Sequence, residues 1–294
     1  MTRPQGEVYD IGYQRYEGLR EGRNRARTAV WSNGVRTALG FGRGWPSMVV
    51  PLLSMVILMG IALIFVILGA VLDPLIDDFP THSEFYKGSA LVFIAFAAIV
   101  APELLCSDRR NGVISLYLVR PLSSTDYVVG RWLAFFSVAL VFVYLPQITL
   151  FIGLTLGAED SVQHLKDKWD MVPRFIAAGF AIAIFNTTIS LAAAAFTTRR
   201  AFAAAFVVGV WFVAWATSEI LVEEIGGANA KWFAMINVGH IPIFLNDIIF
   251  DKVGGEGSYV AIRQHSNIIV IGWFMVLTLV PAALLWWKYR NLKI

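Results

Sequence analysis

Long apolar runs separated by short polar segments dominate the pattern of this sequence. A helix that crosses a bilayer needs ~20 predominantly apolar residues, because hydrocarbon cannot satisfy an open backbone. Six runs meet this requirement, at 46–72, 88–106, 127–156, 172–196, 201–221 and 267–287. The pattern therefore predicts an all-α integral membrane protein with six transmembrane helices.

The fourth and fifth runs are separated only by the segment Thr-Thr-Arg-Arg at 197–200. One helix through both runs would be about twice the length a span needs, and it would place Arg199 and Arg200 in the middle of the bilayer. Each arginine would then cost a few kcal/mol. We therefore expect a tight turn at the membrane surface.

Composition agrees with a membrane protein. The 294 residues are 57% hydrophobic and 15% charged, whereas a soluble domain carries about 25% charged residues.

The distribution of charge predicts the orientation, because short loops rich in Lys and Arg stay in the cytoplasm. With both termini inside, the cytoplasmic segments hold 17 of the 24 Lys and Arg. The membrane orientation thus explains the net charge of +3, and no nucleic-acid partner is needed to account for it.

Residues 1–45 form a polar, basic segment before the first span. Within it, 24–41 has two apolar rows at a spacing of four, which is typical of an amphipathic helix. The rows are Val30, Gly34, Ala38 and Trp31, Val35, Leu39. We expect this helix to lie along the inner membrane surface, either as a simple basic anchor or in contact with a cytoplasmic partner.

The junction after the second span, 107–131, carries the most specific pattern. An apolar, aromatic stretch over 108–118 predicts a short helix, which Arg120 and Pro121 would end. Held between two spans beside basic side chains, such a helix is suited to a groove in another protein. The alternative is an ordinary turn between helices. The candidate contact residues are Asp108, Arg109, Arg110, Ile114, Leu116, Tyr117, Leu118 and Arg120.

Polar residues inside the spans are candidates for a path or a gate: Glu103, Pro146, Gln147, Asn186 and Thr187. For each, a packing role is the alternative. Glu103 would reach water or Arg110, Pro146 would permit a kink, and Asn186 and Thr187 would bond one helix to another.

The segment 239–251, between the fifth and sixth spans, is apolar but too short to cross a bilayer. We expect an external amphipathic or re-entrant element that lies on the outer leaflet or dips into it.

Sequence motifs for catalysis are missing from the chain. It contains no GxxxxGK[ST] phosphate loop and no HExxH, its four His have no ligand spacing, and Cys106 is its single cysteine. We expect no catalytic, cofactor or metal site.

Two segments carry a resemblance to a known family. YDIGYQRYEGLREGR at 9–23 and DRRNGVISLYLVRPLSSTDYVVGR at 108–131, together with six spans, resemble the membrane permease subunits of type-2 ABC transporters. The resemblance covers nearly the whole chain. It implies that 108–118 is the coupling helix, that the permease domain covers 46–288, and that 289–294 is a cytoplasmic tail.

The resemblance also implies partners and a location. Two copies of a separate ABC ATPase would bind ATP and Mg, and a second permease copy or a related permease would complete the pore. The complex would lie in the inner (plasma) membrane and export an amphipathic compound or a lipid.

Two other functions stay open at this point. The subunit could transmit ATPase motion to a periplasmic or membrane partner without moving a solute. Alternatively, it could be an ATP-independent scaffold or secondary transporter.

Overall fold

The computed structural model describes residues 22–72, 82–118, 122–225, 227–251, 261–262 and 264–291. These residues fold as helices and contain no strand. The helices are α1 (Arg23–Ala38), α2 (Pro46–Leu72), α3 (His82–Arg110), α4 (Ile114–Leu118), α5 (Ser124–Gly157), α6 (Ser161–Asp167), α7 (Met171–Ala195), α8 (Arg200–Ile220), α9 (Ala230–Ala234), α10 (Ile241–Phe250) and α11 (Asn267–Arg290). A π-helical turn, Leu221–Ile225, extends α8.

Within the described ranges, six helices are long and apolar enough to cross a membrane: α2, α3, α5, α7, α8 and α11. The chain is thus an all-α, multi-pass membrane protein, and the prediction of six spans is confirmed. The turn expected at 197–200 is also present, because α7 ends at Ala195 and α8 begins at Arg200.

The interior of the bundle is formed by α3, α5 and α7, while α2, α8 and α11 lie at its periphery and expose most of their apolar side chains. Stacked aromatic rings fill the centre. The Phe96 ring lies 4.2 Å from that of Phe142 and 5.7 Å from that of Phe135, between centroids. A second apolar cluster beneath α10 contains Phe185, Trp211 and Phe274.

The bundle has two chemically different ends. We call the one that gathers α1, α4, the α7–α8 turn and the last turn of α11 the basic end, because Arg23, Arg27, Arg109, Arg131 and Arg200 make their contacts there. Helix α10 lies at the other end, packed against α7, α11 and α3. Its buried face includes Ile241, Phe244 and Phe250.

Helix α5 is longer than a bilayer requires. At 1.5 Å per residue its 34 residues extend about 50 Å, against a hydrocarbon core of about 30 Å. If the helix spans the core, about 20 Å of its length lies beyond the hydrocarbon, where charged side chains can be accommodated.

The junction between α3 and α5 differs from the helix predicted over 108–118. Helix α3 continues to Arg110, a turn occupies 111–113, and a separate helix covers Ile114–Leu118. Gly112 has φ of 67°, a left-handed conformation that breaks the helix at this point. Asp108 therefore lies in the last turn of α3 and not in the short helix.

Candidate functional site at the junction of α3, α4 and α5

The start of α5 is fixed by a capping box. The Ser123 side chain accepts a hydrogen bond from the backbone N–H of Asp126, and the Asp126 carboxylate accepts one from the backbone N–H of Ser123. This reciprocal pair satisfies two of the donors that a helix start leaves open. It sets the direction in which α5 leaves the junction.

The same Asp126 carboxylate holds α1. Arg23 Nη2 donates to Oδ2 at 2.6 Å, and Arg27 Nε donates to Oδ1 at 2.7 Å. The Asp126 side chain is 7% exposed, whereas both arginines are about half exposed. One carboxylate therefore pairs with two arginines at the start of α1.

Beyond these ion pairs, α1 packs closely against α5. A Cβ at Gly34 would lie 2.5 Å from Ala134 Cβ, and one at Gly130 would lie 2.8 Å from Val30 Cγ1. Any larger residue at either glycine would push α1 and α5 apart. The row Val30, Gly34 and Ala38 predicted from the sequence is the buried face of α1.

Arg131 is the centre of the site. The residue is 1% exposed, and its guanidinium donates to three neighbouring elements. Nη2 lies 2.6 Å from Asp108 Oδ2 in α3 and 3.3 Å from the Tyr117 hydroxyl in α4, and Nη1 lies 3.1 Å from Asn33 Oδ1 in α1. A single buried side chain of α5 therefore binds α1, α3 and α4.

Two tyrosines complete the surroundings of Arg131. The guanidinium carbon lies 5.5 Å from the Tyr117 ring centroid and 5.6 Å from that of Tyr127, within cation–π range. Tyr127 also donates its hydroxyl to Asp108 Oδ2 at 2.7 Å, and its ring packs 5.6 Å from that of Tyr289 in α11. The network thus reaches α11, one of the peripheral spans.

A second polar cluster joins α3 to the α7–α8 turn. The Glu103 carboxylate accepts from Arg43, in the loop after α1, and from Arg200, at the start of α8. Arg200 also donates to Ser107 Oγ at 2.7 Å, and Arg109 donates to the backbone carbonyls of Ala195 and Thr197. Glu103 contacts these two arginines rather than the expected Arg110.

The junction residues predicted from the sequence fall into different environments. Asp108 and Tyr117 belong to the Arg131 network, Arg109 binds the α7–α8 turn, Ile114 is buried in the main core, and Arg110 is exposed. The side chains of Leu116 and Leu118, and all of Arg120, lie outside the described residues.

The candidate path residues are not brought together. Glu103 lies at the basic end, whereas Gln147 is buried towards the other end, where its Oε1 lies 2.7 Å from His82 Nδ1 and its Nε2 donates to the His82 carbonyl. Pro146 is buried beside Gln147, within an unbroken α5. Asn186 and Thr187 are buried in the middle of α7.

Four residues that organise this site are not among those predicted from the sequence: Asn33, Asp126, Tyr127 and Arg131. The pattern Ser123-x-x-Asp126 is a recognisable capping-box signal. Arg131 lies inside the predicted third span, where the sequence alone indicates only a positive charge near the membrane surface.

Comparisons of the chain with protein-family models and with curated proteins found no match. The described residues also contain no group of three or more His, Cys, Asp or Glu arranged to hold a metal ion.

Proposed function

We propose that this chain is the membrane-spanning permease subunit of an ATP-driven ABC transporter. The observation that supports this function best is the attachment of α4 to two spans. Asp108 of α3 and Tyr117 of α4 both contact the buried guanidinium of Arg131 in α5. A helix of five residues has little stability of its own, so its position depends on these contacts.

The attachment gives α4 a mechanical role. An ATPase that binds α4 and moves on binding ATP would displace Tyr117, and Arg131 would carry the displacement into α5. Asp108 would carry it into α3, and the contact between Tyr127 and Tyr289 would carry it into α11. Packed cores and short polar contacts transmit small shifts because they are stiff.

The orientation that this function needs is supported by charge. We place the basic end in the cytoplasm and the chain in the inner (plasma) membrane, with both termini inside, because clustered Arg residues favour the cytoplasmic side. Helix α1 would then lie at the inner surface, attached through Asp126. ATP would be available on the side where α4 is presented.

The partners follow from the same proposal. Two copies of a separate ATPase bind ATP and Mg and carry out hydrolysis, and this subunit is not an enzyme. A second permease, either another copy of this chain or a relative, completes the translocation path. We propose that the complex exports an amphipathic compound or a lipid, because the peripheral helices α2, α8 and α11 expose large apolar side chains that an apolar tail can contact.

Co-purification tests this function. The full chain, isolated from its own cells in mild detergent, should bring down an ATPase with a phosphate-binding loop, which mass spectrometry identifies. Tyr117→Asp places a charge on α4 beside Asp108 and should reduce the recovered ATPase several-fold. Val162→Asp makes the same kind of change at an exposed position of α6 and should have no effect. Recovery of no such ATPase, or equal recovery with both variants, would contradict the proposal.

A further inference from the structure

A short helix at the α10 end of the bundle carries apolar side chains that no part of the coupling site uses. Helix α6 (Ser161–Asp167) lies between the spans α5 and α7 in the chain, and it packs against α5. Val162 and Leu165, three positions apart on one face, are 63% and 39% exposed. Trp169, four positions further on in the turn after α6, is 61% exposed. We call these three residues the apolar stripe.

The other residues of α6 divide into a side that faces the bundle and a polar side. Ser161, His164 and Lys168 recur at a spacing of three or four and are partly covered, so this side faces the protein. Gln163 and Asp167 are exposed, and Gln163 Nε2 donates to Asp167 Oδ1 at 2.9 Å. The helix thus has a protein-facing side, a polar side and the apolar stripe between them, which is typical of a helix at a membrane surface.

The lipid-facing surface of α5 continues almost to the point where α6 begins. Ile152 and Leu156, one turn apart at the end of α5, are 50% and 72% exposed. No charged residue occurs over 132–157, whereas Glu159 and Asp160 follow immediately. Because charged side chains are costly in hydrocarbon, this change in composition places the end of α5 at the boundary between hydrocarbon and water.

Chain connectivity keeps α6 close to this boundary. Three residues join it to α5, and three more join it to α7. Because consecutive Cα atoms are about 3.8 Å apart, each end of α6 lies within about 15 Å of a span. The apolar stripe is therefore within reach of the lipid that surrounds α5 and α7. Its Trp169 is also the residue type that membrane–water interfaces favour.

We propose that α6 binds the membrane surface at the α10 end, with Val162, Leu165 and Trp169 inserted among the lipid chains and Gln163 and Asp167 in water. The occupant of the apolar stripe is lipid and not another protein. Burial of apolar area drives the insertion, and the stripe itself contains no charged residue. The contact goes beyond the proposed function, since it requires no ATPase.

Spin-label accessibility tests this contact. Full chains with Val162→Cys, Leu165→Cys, Gln163→Cys or Asp167→Cys are modified with a nitroxide and placed in phosphatidylcholine nanodiscs. Cys106 is buried, and the wild-type chain treated in the same way gives its background. Collisions of the nitroxide with oxygen, which concentrates in hydrocarbon, are compared with collisions with a nickel chelate, which stays in water. The ratio of oxygen to nickel collisions should be several-fold higher at 162 and 165 than at 163 and 167.

A matched pair of charged variants sharpens the test. Val162→Asp places a carboxylate on the apolar stripe, and Gln163→Asp places the same group on the polar side. With the nitroxide at position 165, Val162→Asp should raise nickel collisions several-fold, because inserting a carboxylate among lipid chains is costly. Gln163→Asp should leave the nickel collisions at position 165 unchanged.

Three outcomes would overturn the proposal. Frequent nickel collisions at both 162 and 165 would show that the apolar stripe faces water. Rare collisions with both reagents at these positions would show that protein covers it, either a second copy of the chain or another partner. Equal nickel collisions in Val162→Asp and Gln163→Asp would show that the stripe does not hold α6 at the membrane. If Val162→Asp fails to fold, the comparison of the four labelled positions still decides the question.

Discussion

Arg131 and Asp108 form a buried ion pair that joins two spans at the basic end of the bundle. Arg131 Nη2 lies 2.6 Å from Asp108 Oδ2, and their side chains are 2% and 13% exposed. Burying an ion pair is expensive unless the remaining hydrogen-bonding groups find partners. Asn33, Tyr117 and Tyr127 provide partners for the other groups of the pair, whereas Arg131 Nε has none among the described residues. The pair therefore forms part of a network that includes α1 and α4.

Breaking this pair should destabilise the chain strongly. Arg131→Met or Asp108→Asn leaves one buried charge without its partner, which should lower the free energy of unfolding by about 3–5 kcal/mol. Unfolding in detergent, followed by tryptophan fluorescence, measures the change. Arg110→Met, at an exposed position of the same α3 turn, should change it by less than about 0.5 kcal/mol.

The double variant gives the coupling between the two residues. Because the side chains are in contact, Arg131→Met with Asp108→Asn should cost less than the sum of the single changes. Strict additivity would show that the two residues are not energetically coupled.

Asp126 should control the attachment of α1. Asp126→Asn removes the charge that holds Arg23 and Arg27, and charge-assisted bonds contribute about 1.5–3 kcal/mol each. Trypsin should then cleave α1 at its arginines roughly tenfold faster, since local opening becomes easier. Asp160→Asn, which alters the cap of α6 at the other end, is the control and should not change this rate. An unchanged rate in Asp126→Asn would show that α1 does not depend on this contact.

Glu103 should hold the α7–α8 turn against α3. Glu103→Gln leaves Arg43 and Arg200 side by side without a shared carboxylate, which should lower the free energy of unfolding by about 1–2 kcal/mol in this partly exposed site. Adding Arg43→Gln should recover part of the loss, because it removes one of the two repelling charges. Glu223→Gln, at an exposed position of the π-helical turn, should be neutral. No recovery in the double variant would argue against charge repulsion as the cause.

His240, in the segment before α10, should make that region sensitive to acid. Burial lowers the pKa of His240, and its Nδ1 lies 2.8 Å from Asn237 Nδ2, a donor to the neutral ring. Below the ordinary histidine pKa of about 6.5, the unfolded chain therefore binds a proton more readily than the folded chain does. Stability should be complete above that pH and fall as the pH falls.

The measurement is the thermal unfolding midpoint in detergent at pH 7.5 and at pH 5.5. The wild-type chain should lose more stability between these two values than His240→Gln does, since the variant has no titrating group at this position. An equal loss in both would show that His240 does not contribute.

The six spans were predictable because length and apolar composition determine them directly. The turn at 197–200 was predictable for the same reason, since two arginines cannot lie cheaply in hydrocarbon. The buried row of α1 followed from spacing alone.

The contacts of the site were not predictable in the same way. Arg131 pairs with a residue 23 positions earlier, and Glu103 with residues 60 positions before it and 97 positions after it. Local patterns carry no information about such partners, and an arginine inside a run does not reveal whether it faces lipid, water or a carboxylate. The sequence pattern does not predict the break at Gly112, because the apolar stretch over 108–118 favours one continuous helix.

Site-specific crosslinking tests whether α4 presents a contact surface to an ATPase. A photoreactive benzophenone amino acid is placed at Ser115, which is exposed on α4, or at Val162, which is exposed on α6 at the other end. Membranes of cells that make each variant are irradiated, and the crosslinked proteins are identified. We expect an ATPase with a phosphate-binding loop to be crosslinked from position 115 and not from position 162. An ATPase that co-purifies with the chain but crosslinks from neither position, or equally from both, would contradict the account.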